Sequence, residues 1–149
     1  MMKTYIYILC FSILLYCITL IDFSFGYKPT EGTAVSLSPA VTEIVYALGA
    51  QDQLMGVSSF CDFPEDVKKK PKVGNAFYVN KEAILKLKPE MLFAFKTQES
   101  QVDELSRGGI KVYYLENKRI DDIYNNIHII GKALKKDSEA EKLIAKLKK

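Results

Sequence analysis

With 149 residues, 48% of them hydrophobic, the chain has room for one domain with a real core and not for two complete ones. Its 21 basic and 18 acidic residues leave a net charge of +3, and the basic excess collects at Lys68-Lys69-Lys70 and at Lys146, Lys148 and Lys149. These runs read as solvated faces, and the scarcity of interleaved arginine argues against nucleic acid as a partner.

The chain opens with MMKTYIYILCFSILLYCITLIDFSFG, one lysine ahead of an apolar run from Tyr5 to Ile21 that Asp22 ends. Ser24-Phe25-Gly26 places small residues where a signal peptidase cuts, so export with cleavage before Tyr27 is expected. The run also approaches the roughly 18 residues that span a bilayer, which makes an uncleaved membrane anchor the alternative. Lipid attachment at Cys17 is a weaker reading, because bulky Tyr16 stands where a small residue belongs. Cleavage removes Cys10 and Cys17 and leaves Cys61 without a disulfide partner, so the exported domain must be held by its core.

Beyond this segment, strand-like and helix-like patterns alternate. Ala34 to Leu37 is a short apolar strand, and Ser38-Pro39 supplies an N-cap and a first turn. Val41, Ile44, Val45 and Leu48 then fall on one helical face, and Gly49 stops the helix. Leu54 to Ser58 is a second strand. The stretch from Ser58 to Phe77, SSFCDFPEDVKKKPKVGNAF, contains two prolines and a Gly-Asn pair and is expected to hold no regular element. It nevertheless carries three phenylalanines, which a soluble domain either buries or uses.

Asn80 caps a helix bearing Ile84 and Leu87, which ends at Lys88 because Pro89 follows. Met91 to Phe95 is a strand, Ser100 to Arg107 a helix closed by Gly108-Gly109, and Lys111 to Leu115 another strand. Such alternation predicts an α/β fold, a three-layer Rossmann-like lobe with a mostly parallel sheet. Ile120, Ile123, Ile127, Ile130 and Leu134 form a further helical stripe. After a polar break at Lys135-Lys136-Asp137, Ser138 opens a helix with Ala140, Leu143, Ile144 and Leu147 on one face. No following element is available to cover that face, so it is expected to stand bare and to favour self-association.

Three chemistries are weighed and set aside. Cys61 as a nucleophile needs a base, and the single histidine, His128, lies within the apolar pattern of Ile127, Ile129 and Ile130, where a partly buried structural role is expected. An enzyme is therefore not expected. One histidine cannot supply the cluster that a zinc or manganese site needs. No glycine-rich phosphate loop is present, so the α/β pattern is not a nucleotide site.

The segments VSLSPAVTEIVYALGA (35–50), GVSSFCDFPEDVKKKPKVG (56–74), NKEAILKLKPEMLFA (80–94) and GIKVYYL (109–115) resemble the amino-terminal lobe of the periplasmic binding proteins that deliver cobalamin, haem and iron-siderophore complexes to ABC importers. The likeness is strongest to the cobalamin-binding members and covers about Thr33 to Lys149. It implies a binding lobe over 27–136, after a signal peptide or anchor over 1–26. Residues 137–149 would then begin the long helix that joins two lobes in this family, with the second lobe absent. It also implies a periplasmic or cell-surface location, a corrinoid or iron-chelate ligand, an ABC permease as membrane partner and no resident cofactor.

Ligands of open α/β sheets gather outside the carboxyl ends of the strands. On the family pattern, Phe60, Phe77 and Tyr78 would form an apolar rim there, with Ser36, Ser38 and Asn75 adding hydrogen bonds. Tyr78 is also a weak candidate axial ligand for haem. The plainer reading is that Phe60, and Phe63 more so, pins the loop onto its own lobe. Glu82, just inside the helix capped by Asn80, matches the family glutamate that pairs with permease arginines; by itself it is an acidic residue favourable to the helix dipole. The alternative function is a truncated remnant or partner-dependent structural domain that binds no ligand alone, with a second lobe supplied separately.

Overall fold

The structure, a computed structural model, describes residues 31–149; the expected signal or anchor segment lies outside the described residues. Four strands, β1 (Ala34–Ser36), β2 (Leu54–Val57), β3 (Met91–Phe95) and β4 (Lys111–Leu115), pair in parallel in the order β2-β1-β3-β4. Among the described residues they are joined by α1 (Pro39–Ala47), α2 (Lys81–Leu87) and α3 (Glu99–Arg107), and followed by α4 (Ile120–Ala133) and α5 (Asp137–Leu147).

A parallel sheet needs cover on both faces, and the strand sequences supply apolar residues to both. Ala34, Met91, Phe93 and Leu115 point to the side of α1, α4 and α5, where they meet Val41, Val45, Ile127, Ile130 and Ala140. Val35, Leu92 and Ala94 point to the other side, against Ile84 of α2 and Val102 and Leu105 of α3. The result is the expected three-layer α/β lobe.

Local signals set most element ends. Gly49, at φ +65°, lets the chain leave α1, with its amide bonded to Tyr46 O at 2.9 Å. Asn80 Oδ1 accepts from Ala83 N at 3.0 Å and opens α2, and Lys88 in the left-handed region closes it one residue before Pro89. Ser38 and Pro39 occupy the N-cap and first helical position of α1, but the Ser38 side chain makes no capping bond.

Three expectations are corrected. The Ser58–Phe77 stretch is not wholly irregular: Glu65–Lys69 forms a 3₁₀ turn, Lys72 bridges to Val57 in parallel, and Gly74 bridges to Val79. Within it Lys70 is not a solvated charge. Its ammonium is half-buried and donates to Gln51 O at 2.9 Å and Leu54 O at 2.7 Å, and burial lowers its pKa.

The apolar stripe of α5 is likewise not bare. The chain reverses at Lys135, at φ +58°, and α5 folds back on α4. Ala140 is fully buried, and Leu143 and Ile144 pack against the core; only Leu147 is left largely exposed. Gly131 permits the contact, because a Cβ there would stand 2.5 Å from Ala140 Cβ.

Candidate functional site

The strand order reverses direction at β1 and β3, and their carboxyl ends open onto the crevice where such sheets bind ligands. The loop after β2 arrives beside this edge. Its returning limb, Pro71 to Gly74, runs alongside β2 through Val57 N to Pro71 O (2.9 Å), Val73 N to Val57 O (3.0 Å) and Ser59 N to Gly74 O (2.7 Å). These bonds set the turn carrying Phe60 next to the turn carrying Phe77 and Tyr78.

The second turn is built by Asn75. Its Oδ1 accepts from Phe77 N at 2.9 Å and Tyr78 N at 3.0 Å, an Asx-type turn that a short carboxamide forms readily. Gly74, at φ +118°, is required there, since a Cβ would run into the Tyr78 carbonyl. The rings stand outward: Phe77 is 85% exposed, Tyr78 62% and Phe60 51%. The expected rim residues are thus brought to one side of the lobe. The carbonyl of Asn75 is committed to its own turn, leaving Nδ2 without a partner among the described residues.

Ser36 and Ser38 lie elsewhere in the hydrogen-bond economy. Ser36 is fully buried and Ser38 nearly so; Ser36 Oγ donates to Ser38 O at 2.9 Å and accepts from Thr42 Oγ1 at 3.0 Å. This network shapes the loop from β1 into α1 and turns the Ser36 hydroxyl inward. It continues through Thr42 Oγ1 to Cys61 Sγ at 3.2 Å. Cys61 is buried, and that burial pushes its thiol pKa up, so the group is held as a thiol. His128, expected to be partly buried, is exposed on α4 beside Glu141, with Nδ1 3.4 Å from the carboxylate.

Phe63 is the clearest departure from expectation. It does not pin the loop to the core but is 67% exposed, and with Pro64 it forms one wall of a groove of about 790 Å³. Ile44 of α1, Phe95 at the end of β3, Ile120 and Ile123 of α4 and Leu147 of α5 form the rest of its apolar lining. Glu43, Glu116, Lys118 and Arg119 add charge. Asn126, buried among these residues, donates from Nδ2 to Glu116 O at 2.6 Å while its Oδ1 has no partner. None of the six expected ligand residues lines this groove. Its sequence signal was the leading end of the α4 stripe, Ile120 and Ile123, which reads as core until the fold leaves it uncovered.

Glu82 projects from the first turn of α2 and, among the described residues, pairs with Lys86 one turn on, at 2.9 Å, with its side chain 80% exposed. It is free to meet a partner. Among the described residues there is no cluster of three potential metal ligands, and no helix is long and apolar enough to cross a membrane.

Residues 35–149 match the model of a family described as periplasmic binding protein. A curated vitamin B12-binding protein of Vibrio vulnificus (strain YJ016) is 40% identical over 95 residues, covering 62% of this chain and 35% of that protein. Among solved structures, a possible iron-binding (periplasmic solute-binding) protein of Staphylococcus epidermidis superposes with a TM-score of 0.71 at 33% identity, over 78% of this chain and 47% of that one. A periplasmic haem-binding protein of Vibrio cholerae superposes with a TM-score of 0.70 at 26% identity, over 79% and 47%. The chain therefore spans about a third of the length of the curated relatives it matches, and under half of the solved ones. A family match running from the first strand to the last helix, on a single parallel α/β lobe, makes this chain a member of the periplasmic binding protein family.

Proposed function

We propose that the chain is the ligand-binding lobe of a solute-binding component of an ABC importer, exported to the periplasm and taking a corrinoid or an iron chelate such as a siderophore complex or haem. The observation that carries this reading is the outward display of Phe60, Phe77 and Tyr78 on two adjacent, hydrogen-bonded turns. Exposed aromatic rings held at fixed backbone positions offer flat apolar surface at low entropic cost, which suits the face of a macrocycle or a catecholate shell. The B12- and haem-binding relatives share that class of ligand. Asn75 Nδ2 contributes a polar contact at the edge, and Ser36 and Ser38 act from beneath by shaping the loop after β1. Glu82 docks on arginines of the permease.

The test is titration of the protein with cyanocobalamin, hemin and a ferric-siderophore panel, followed by absorbance. Saturable binding to one of them, weakened in Phe60→Ala and Phe77→Ala, is the expected result. Absence of binding across the panel favours the second reading, a partner-dependent structural domain. The uncovered groove at Phe63, Ile120, Ile123 and Leu147 supports that alternative.

A further inference from the structure

We propose that Lys72 is a positioning residue of the aromatic face, its ammonium holding the Cys61–Val67 loop in the shape that presents Phe60 beside Phe77 and Tyr78. The inference rests on the proposed ligand face and adds the device that sets its geometry. Between Cys61 and Val67 the loop has no strand partner, yet the carbonyls at both ends converge on one group: Lys72 Nζ donates to Cys61 O at 2.9 Å and to Val67 O at 3.2 Å. Lys72 itself is anchored, because it bridges in parallel to Val57 at the end of β2. Its side chain therefore ties the loop to the sheet.

The anchoring converges on a single residue. Cys61 N donates to Ser58 O at 3.0 Å, Cys61 Sγ meets Thr42 Oγ1 at 3.2 Å, and Cys61 O takes the lysine. Phe60 precedes this fixed point and Phe63 lies two residues after it, and both rings are exposed. A residue held on three sides directly after Phe60 fixes the backbone from which that ring of the ligand face is displayed. The lysine is the charged member, and charge-assisted donation to carbonyls is stronger than its neutral counterpart. Methionine at this position keeps most of the stem and removes both donors, leaving the Cys61 and Val67 carbonyls without the lysine. The loop then has to be ordered by the ligand at the moment of binding.

The test compares the parent, Lys72→Met and Lys72→Arg by backbone amide exchange, urea unfolding and titration with cyanocobalamin and hemin. In Lys72→Met, exchange at Cys61 and Val67 should accelerate while the amides of β1 and β3 keep the parent rate. Ligand affinity should fall about tenfold, the scale of one or two side chains that must be ordered on binding. Lys72→Arg, which restores a cation with several donors, should recover both readouts. Unchanged loop exchange in Lys72→Met overturns the assignment. So does acceleration shared equally with β1 and β3, which marks a fold-stabilising role, or faster loop exchange with unaltered affinity. If the parent binds neither these two ligands nor any member of the ferric-siderophore panel, the proposed ligand face fails, and with it the positioning role; the exchange data still report separately whether Lys72 holds the loop.

Discussion

At the residue scale, side chains of similar character are put to opposite uses by their surroundings. Phe93 is fully buried in the middle of β3, its ring centroid 5.4 Å from that of Tyr113, whereas Phe60 and Phe77 face water. Phe93→Ala should cost about 3–5 kcal/mol of stability through lost transfer and a cavity. Phe60→Ala and Phe77→Ala should leave the urea midpoint within experimental scatter and act on ligand binding alone. Equal destabilisation by all three would show that the exposed rings are structural. Cys61 offers a pH test. Burial raises its folded pKa, so the contribution of the neutral thiol is fully present below the ordinary thiol value of about 8.5 and is lost as pH rises through the higher folded value. Burial also raises Tyr46 and Tyr114, and both add a further loss that begins only above the ordinary tyrosine value of about 10. Stability should therefore fall above about pH 8.5. Cys61→Ala should flatten part of that fall in urea titrations at pH 7 and pH 10.

At the element scale, α2 and the α4–α5 hairpin depend on single residues. Asn80→Ala removes the side-chain acceptor at Ala83 N and should cost about 0.5–2 kcal/mol, a large loss for a seven-residue helix. Glu82 lies on that helix, so Asn80→Ala should also loosen the presentation of the docking carboxylate. Glu82→Arg, by contrast, should leave ligand affinity unchanged, cost about 0.3–1 kcal/mol of stability by setting a cation against the helix dipole, and reduce delivery to the permease in vesicle uptake; undiminished uptake would remove the docking role. In the hairpin, Gly131 lies 2.5 Å from Ala140 Cβ once a Cβ is added, with Lys136 O at 3.1 Å. Gly131→Leu should wedge α5 away from α4 at a cost of at least 1–3 kcal/mol, roughly the scale of overpacking, visible as a lowered thermal midpoint.

At the scale of the whole molecule, the aromatic face and the neighbouring groove are both open to water. Tight binding of a large ligand depends on contacts that are fully desolvated, and a ligand lying on one face leaves much of its surface wet. Residues 31–149 alone should bind their best ligand no tighter than about micromolar, since each tenfold in affinity is about 1.4 kcal/mol. The groove adds a second consequence. Phe63, Ile120 and Leu147 are each more than half exposed around it, an apolar patch of the kind that seeks cover. Light scattering on the same fragment should show concentration-dependent association, and Ile120→Lys should reduce it. A monodisperse monomer with nanomolar affinity would show that one open face is enough.

The sequence by itself determined what depends on neighbours along the chain. The apolar strands, Gly49 after α1, Asn80 before α2 and the helical stripes of α1 and α4 act within a few residues, and alternation of such elements leaves few sheets other than a parallel one. The rim of Phe60, Phe77 and Tyr78 was legible in the same way, as rings in a stretch rich in turn formers. What the tertiary structure alone decided concerns approaches between distant segments. Ser36 turns inward because Thr42, itself met by Cys61, reaches it, Lys70 is half-buried because β2 starts beside it, and α5 is covered because Gly131 lets Ala140 in. Phe63 reverses its expected role for the same reason. Whether a ring is buried depends on what packs against it from elsewhere in the fold, and local pattern carries no record of that partner.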